Sequence, residues 1–323
     1  MKNRLLLLTA LLILSTLALS ACNGDTGTPL TTPEPAQTVN GTEPEVTAEN
    51  QKPILSPEDM LTLDEINSVK QNNEYTTTDA LVYDITFVSG GLSMNAALVL
   101  PADYAEKNCP TMLYFPDVGH TPDVLATNYA AKDVIVFRLW GRGRDGNEGV
   151  RDMGGEDAAD AETLLEISRS CDFLSRGGIF AAGSSEGSIR ALRLAQLHSD
   201  ALAGCAVVDC ISDLAAFGEA RGEAIQQLSS YLVGGTPEEL PDEYKKRSAV
   251  FFADQITTSV LILAYENSPL APMEQATALK EALDSVGTEC RLEKLPKLSS
   301  DFSRDALQIL LPWIREHAPS AQN

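Results

Sequence analysis

Residues Gly183-Ser184-Ser185-Glu186-Gly187 lie between an apolar run, Gly178-Ile179-Phe180-Ala181-Ala182, and a stretch with Ile189, Leu192, Ala195 and Leu197 at helical spacing. Strand, sharp turn and helix, in that order, are the setting in which a G-x-S-x-G run forms a nucleophile elbow. The glycines let strand and helix cross closely, and the central serine is forced into a strained turn. The hydroxyl of Ser185 then projects above the edge of a sheet. A serine in that position is a candidate nucleophile, but it needs a base and an orienting acid to act as one.

The N-terminus bounds where such a chain works. Lys2 and Arg4 precede an apolar run from Leu5 to Leu19, too short and too interrupted by Ser and Thr for a membrane span. The run reads as the apolar part of a secretory signal. Leu19-Ser20-Ala21-Cys22 resembles the bacterial lipoprotein signal, which implies that Cys22 becomes the lipid-bearing first residue. The expectation is an exported protein, lipid-anchored to a bacterial cell membrane at Cys22, with its domain facing outside the cytoplasm. Residues 1–21 are assigned to the signal. Residues 22–52 form the lipidated cysteine and a Thr/Pro/Glu-rich tether with too little apolar surface to fold. Residues 53–323 are assigned to the folded domain.

The net charge is −22. Losing Lys2 and Arg4 with the signal takes it from −22 to −24. That balance excludes nucleic acid as a partner and gives no electrostatic hold on anionic lipid. Beyond Cys22 the cysteines are Cys109, Cys171, Cys205, Cys210 and Cys290, with no C-x-x-C or Cys/His spacing. Cys205 and Cys210, in or near one apolar run, read as buried thiols and not as a disulfide. No metal and no cofactor is expected, and there is no internal repeat.

The order of elements points to an α/β domain. Tyr75–Val88 and Leu92–Leu100 read as strands around a Ser89-Gly90-Gly91 hairpin. Thr111–Phe115, Val134–Leu139, Ile179–Ala182, Cys205–Val208, Val260–Ala264 and Cys290–Leu295 are further strands. Glu156–Ile167, Met273–Val286 and Arg304–His317 are helical, the last with a break expected at Pro312. An antiparallel hairpin followed by alternating strands and helices predicts a mainly parallel central sheet with helices on both faces.

Here the order resembles the α/β-hydrolase fold, and several stretches resemble the catalytic domain of the prolyl oligopeptidase family. Arg142-Gly143-Arg144-Asp145-Gly146-Asn147-Glu148-Gly149 is similar to that family's glycine- and arginine-rich loop after the fourth strand, and Gly154-Gly155-Glu156-Asp157 to the start of its next helix. Gly234-Gly235-Thr236-Pro237-Glu238-Glu239, with Tyr244-Lys245-Lys246-Arg247-Ser248, resembles the segment before its seventh strand. Val260-Leu261-Ile262-Leu263 and Pro269-Leu270-Ala271-Pro272-Met273-Glu274-Gln275 resemble the seventh strand and its acid loop. The likeness runs from about Tyr75 to Ala318.

The resemblance places the acid after the seventh strand and a histidine base after the eighth. This chain reads Glu266-Asn267-Ser268 and Ser299-Ser300-Asp301-Phe302 there, so both triad positions are serines, Ser268 and Ser300. Neither hydroxyl can carry a charge or take a proton near neutral pH. Three histidines exist. His198 falls far down the helix that starts at the elbow, and His317 in the last helix. His120, in Pro116-Asp117-Val118-Gly119-His120 after the third strand, is the one placed to act as a displaced base. Asp209, after the sixth strand, is a substitute acid, and Asp213, Glu266 and Asp301 lie near the same loops. For an oxyanion hole, one donor would be the backbone N–H of Glu186 and the second an N–H of the loop at Asp117.

Loss of the base from a working triad costs about 10⁶ in turnover and leaves about 10³–10⁴ over water. The residues therefore predict a serine peptidase or esterase domain with weak or absent hydrolysis and a retained Ser185. Two alternatives stand beside that reading. One is a non-catalytic module that uses the old cleft for a peptide, ester or glycan ligand. The other is a rewired hydrolase using His120 with an acid such as Asp209.

Overall fold

Successive strand residues point to opposite faces of a sheet, and here the apolar residues fill both. In the computed structural model, which describes residues 53–116, 122–296 and 304–319, nine strands form one sheet. β1 (Ile66–Gln71), β2 (Ala80–Ser89) and β3 (Leu92–Pro101) are antiparallel neighbours, and β3 meets β5 (Ile135–Leu139) antiparallel. β4 (Thr111–Phe115) lies between β5 and β6 (Ile179–Ser184). β7 (Gly204–Val208), β8 (Val260–Tyr265) and β9 (Cys290–Leu295) follow, and all pairs from β5 onward are parallel. The spatial order is β1-β2-β3-β5-β4-β6-β7-β8-β9.

The helices sort by face. Leu113, Phe115, Phe137, Ala181, Val207 and Ile262 pack against α2 (Ala158–Ser170), α4 (Glu186–His198) and α8 (Met273–Val286). Their strand neighbours Met112, Tyr114, Val136, Ala182, Val208 and Leu263 pack against α1 (Pro122–Asn128) and α9 (Arg304–His317). Each fully buried Val, Leu, Ile or Phe contributes about 1.5–3 kcal/mol, so a sheet filled on both faces fixes its register strongly. α3 (Asp172–Ser175) leads into β6. Between β7 and β8 the chain makes an excursion through α5 (Leu214–Arg221), α6 (Glu223–Val233) and α7 (Pro241–Lys246). A small separate core of Met153, Ile189, Ile211, Leu214, Phe217, Tyr244 and Ala271 holds it to α4 and to the loops that follow β5, β7 and β8.

Four expectations are corrected. The first expected strand starts at Ala80, because the hydroxyls of Thr76 and Thr77 accept from the N–H groups of Val82, Asp79 and Ala80 and shape residues 75–79 as a turn. β1 adds an edge strand that the sequence pattern did not mark, so the family's eight strands correspond to β2–β9. Pro312 does not break α9. Leu310, Leu311, Trp313 and Ile314 are all buried around it, and their packing outweighs one missing N–H. Glu156 and Asp157 lie before α2, in a turn where the Asp152 carboxylate accepts from the N–H groups of Gly155, Glu156 and Asp157.

Candidate active site

β6 is buried along its whole length, and α4 begins two residues after its last buried alanine pair gives way to glycine and serine. Between them Ser185 has φ 45° and ψ −118°, a conformation that costs a non-glycine residue on the order of 1–3 kcal/mol. Its N–H donates to Val208 O at 3.0 Å, and its carbonyl accepts from Ser188 N at 3.0 Å and Ser188 Oγ at 2.5 Å. The crossing demands glycine at 187, where a Cβ would overlap the Phe115 carbonyl at the end of β4. The strained elbow expected of the motif is thus formed, at the carboxyl ends of the parallel strands. Ser185 is 5% exposed, and its Oγ has no hydrogen-bond partner among the described residues.

The next two strands carry the acid side of the site. Asp209, directly after β7, also has positive φ (45°) and is buried. Its N–H donates to Leu263 O at 2.9 Å. Its Oδ1 accepts from Tyr265 N at 3.0 Å, and its Oδ2 accepts from Ser268 Oγ at 2.7 Å. Ser268 Oγ in turn accepts from Leu270 N at 3.0 Å. The Ser268 hydroxyl, at the position where the resemblance would place an acid, is therefore tied directly to a carboxylate one strand away. Burial pushes the Asp209 carboxyl above its ordinary range, and the hydrogen bonds from Tyr265 and Ser268 oppose that rise.

Glu186 follows the nucleophile, and sequence alone leaves its charge unbalanced beside an oxyanion position. The fold balances it: Arg151 Nε donates to both Glu186 carboxylate oxygens at 2.7 and 2.6 Å, and Arg151 Nη2 reaches one of them as well. No sequence signal links these residues, which are separated by a loop and by α2, α3 and β6. Beside them Asp157 is buried and accepts from Gly154 N at 2.8 Å. Burial, opposed by Arg190 and reinforced by Asp152 and Glu186, pushes its carboxyl up to about 7.

The other expected residues fall as follows. His198 ends α4 and contacts Glu162 at 2.9 Å. His317 contacts the Trp313 carbonyl at 2.9 Å. Neither approaches Ser185, in keeping with the roles expected for them. Asp213 caps α5 by accepting from Ala216 N at 3.0 Å, and Glu266 is exposed. Cys22, Asp117, His120, Ser300 and Asp301 lie outside the described residues. Phe252 is in the core, whereas Phe251 is exposed. Four of the five described cysteines are buried free thiols, with Cys290 half-buried, and burial pushes the Cys109 thiol up to about 11. Among the described residues no group of His, Cys, Asp and Glu is arranged to hold a metal, and no helix is long and apolar enough to cross a membrane.

The glycine- and arginine-rich loop is a structural clamp. Arg142 Nε and Nη2 donate to Asp160 at 2.9 and 3.1 Å, and Asp160 also accepts from Ser89 Oγ at 2.6 Å. Asn147 Nδ2 donates to Trp140 O at 2.8 Å, and Asn147 Oδ1 accepts from Asn95 N at 2.6 Å. The loop is thereby fastened both to the β2–β3 hairpin and to α2.

Sheet order, helix placement and a serine elbow after the fifth strand counted from β2 define the α/β-hydrolase fold, and this chain has it. No family model matches the chain. It is 25% identical over 206 residues to the uncharacterized peptidase YtmA of Bacillus subtilis, covering 62% of this chain and 79% of that protein. Among solved structures it resembles acetyl xylan esterase 1 of Thermoanaerobacterium (TM-score 0.63, 17% identity, covering 83% of this chain and 95% of the esterase). It also resembles acylaminoacyl peptidase of Pyrococcus horikoshii (TM-score 0.61, 15% identity), covering 81% of this chain but only 43% of that one. The relatives are thus peptidases and esterases of one fold.

Proposed function

We propose that this chain is a cell-surface lipoprotein, anchored through Cys22, whose prolyl-oligopeptidase-like serine hydrolase domain keeps Ser185 as nucleophile position and has weak or no hydrolytic activity. One observation carries the reading: Ser185 stands in a formed, strained elbow, while the hydroxyl of Ser268, not a carboxylate, occupies the acid position of the family. The elbow orients an Oγ and, through the N–H of Glu186, one oxyanion donor. Without an imidazole to take the Ser185 proton, attack on a peptide carbonyl is too slow to count as proteolysis.

A second reading is favoured by Asp209. Its buried carboxylate, hydrogen-bonded to Ser268 beyond the strand next to the elbow, supports a rewired triad with Asp209 as acid and His120 as base. Labelling with a fluorophosphonate probe separates the two. The expected result for the wild-type protein is little or no labelling, and none in Ser185→Ala. Stoichiometric labelling at Ser185 that disappears in His120→Ala would replace the first reading with the second. A gain-of-function test follows from the same geometry. Ser300→His alone is expected to raise hydrolysis of an activated ester above wild type, because Asp209 already supplies a carboxylate. No gain would count against the assigned triad positions.

A further inference from the structure

Beyond the elbow, α4 borders a cavity of about 700 Å³ that Ser185 does not line. Arg193 lies eight residues past Ser185, about 12 Å along the helix at 1.5 Å per residue. Four cations line the cavity, Arg142, Arg193, Lys246 and Arg247, against three carboxylates, Asp152, Glu156 and Glu243. Asp160, buried and paired with Arg142, brings the local charges into balance.

Three of the cations are compensated. Arg142 pairs with Asp160 at 2.9 Å, and Glu243 serves both Lys246 and Arg247 at 2.7 Å. Arg193 has no carboxylate within ion-pair distance among the described residues. Its guanidinium contacts the Gln196 side-chain carbonyl and lies over the Phe252 ring at 5.8 Å, and its buried Nε has no hydrogen-bond partner. Burial disfavours its cation, the Glu162 charge favours it, and the smaller effect of the Arg247 charge disfavours it. A half-buried cation with a buried, unpartnered Nε is a group that a bound anion would stabilise. The apolar part of the lining is Leu92, Val150 and, at the end of α6, Leu232 and Val233. α6 buries none of its apolar residues fully, so Leu232 and Val233 keep surface to offer a ligand.

We propose that this cavity binds a small carboxylate with an apolar body, its anion at Arg193 and its apolar part against Leu232 and Val233. The volume falls in the range of small-molecule sites, about 300–1,000 Å³. The site is independent of any chemistry at Ser185.

The test is titration calorimetry on the full chain with N-acetyl-leucine, N-acetyl-leucinamide and decanoate. The first and last distinguish a peptide end from a fatty acyl carboxylate, and the amide removes the charge. Binding of at least one carboxylate is expected, with the amide and Arg193→Gln each weakening it by about tenfold or more, the worth of a charged hydrogen bond. Ser185→Ala should leave affinity unchanged. If Arg193→Gln does not fold by circular dichroism, Val233→Asp, which sets a like charge beside the ligand's body, should abolish binding while Arg193→Lys keeps part of it. Binding of neither carboxylate at about 10 mM, equal affinity for amide and acid, or an unaffected Arg193→Gln would overturn the proposal.

Discussion

At the scale of single residues, the site is a set of charges and hydroxyls whose partners are far away in sequence. Asp209 Oδ2 and Ser268 Oγ are 2.7 Å apart, so Ser268→Asp would bring two buried carboxylates together. The expected outcome is a loss of about 1–3 kcal/mol in a urea titration at neutral pH, with recovery at acid pH where one carboxyl holds a proton. An acid at position 268 is therefore destabilising here, because the Asp209 carboxylate already lies beside it. Arg142→Ala would leave Asp160, 1% exposed, buried without its counter-charge. A loss of about 3–5 kcal/mol is expected from the same titration, as for other buried pairs broken on one side. The candidate nucleophile was legible from five residues of sequence. The Arg151–Glu186 pair was not, because nothing local in the sequence records which side chains a loop returns to.

At the scale of elements, the elbow depends on how closely α4 crosses β4. Gly187→Ala sets a methyl group on the Phe115 carbonyl, and backbone on both sides leaves little room to relax. The expected effect is destabilisation of at least about 2 kcal/mol, with the ψ and φ of Ser185 disturbed and any residual probe labelling lost. Denaturant melting and labelling measure the two effects separately. Most strands were legible because a buried strand is a short apolar run. β1, half exposed at the sheet edge, lacked that signal, and Thr76 and Thr77 turned an apparent strand start into a turn. The α5–α7 excursion was missed for a related reason: α6 shows an apolar stripe but buries little of it. Pro312 shows the converse, a strong local breaker overruled by core packing on both sides.

At the scale of the whole molecule, burial of carboxyls sets the pH response. Asp157 rises from an ordinary 3.8 to about 7 in the folded state. The folded state then holds a proton that the unfolded chain has released, so this group's contribution is greatest below about pH 4 and is lost as pH rises towards 7. Asp209 shifts in the same direction. The urea midpoint is expected to fall between about pH 4 and 7, and Asp157→Asn should flatten that slope. A slope unchanged in the variant would assign the effect to self-repulsion of the −22 chain instead. What the sequence determined by itself was the α/β class, the places of the buried strands along the chain and the place of the serine turn, since these follow from apolar runs, glycine geometry and chain order. Only the tertiary structure decided that Ser268 is joined to Asp209, that Glu186 is neutralised by Arg151 and that Arg193 faces a cavity uncompensated. Those are distances between residues brought together from separate elements, and hydrogen bonds and Coulomb energies depend on such distances and on burial, neither of which a linear pattern contains.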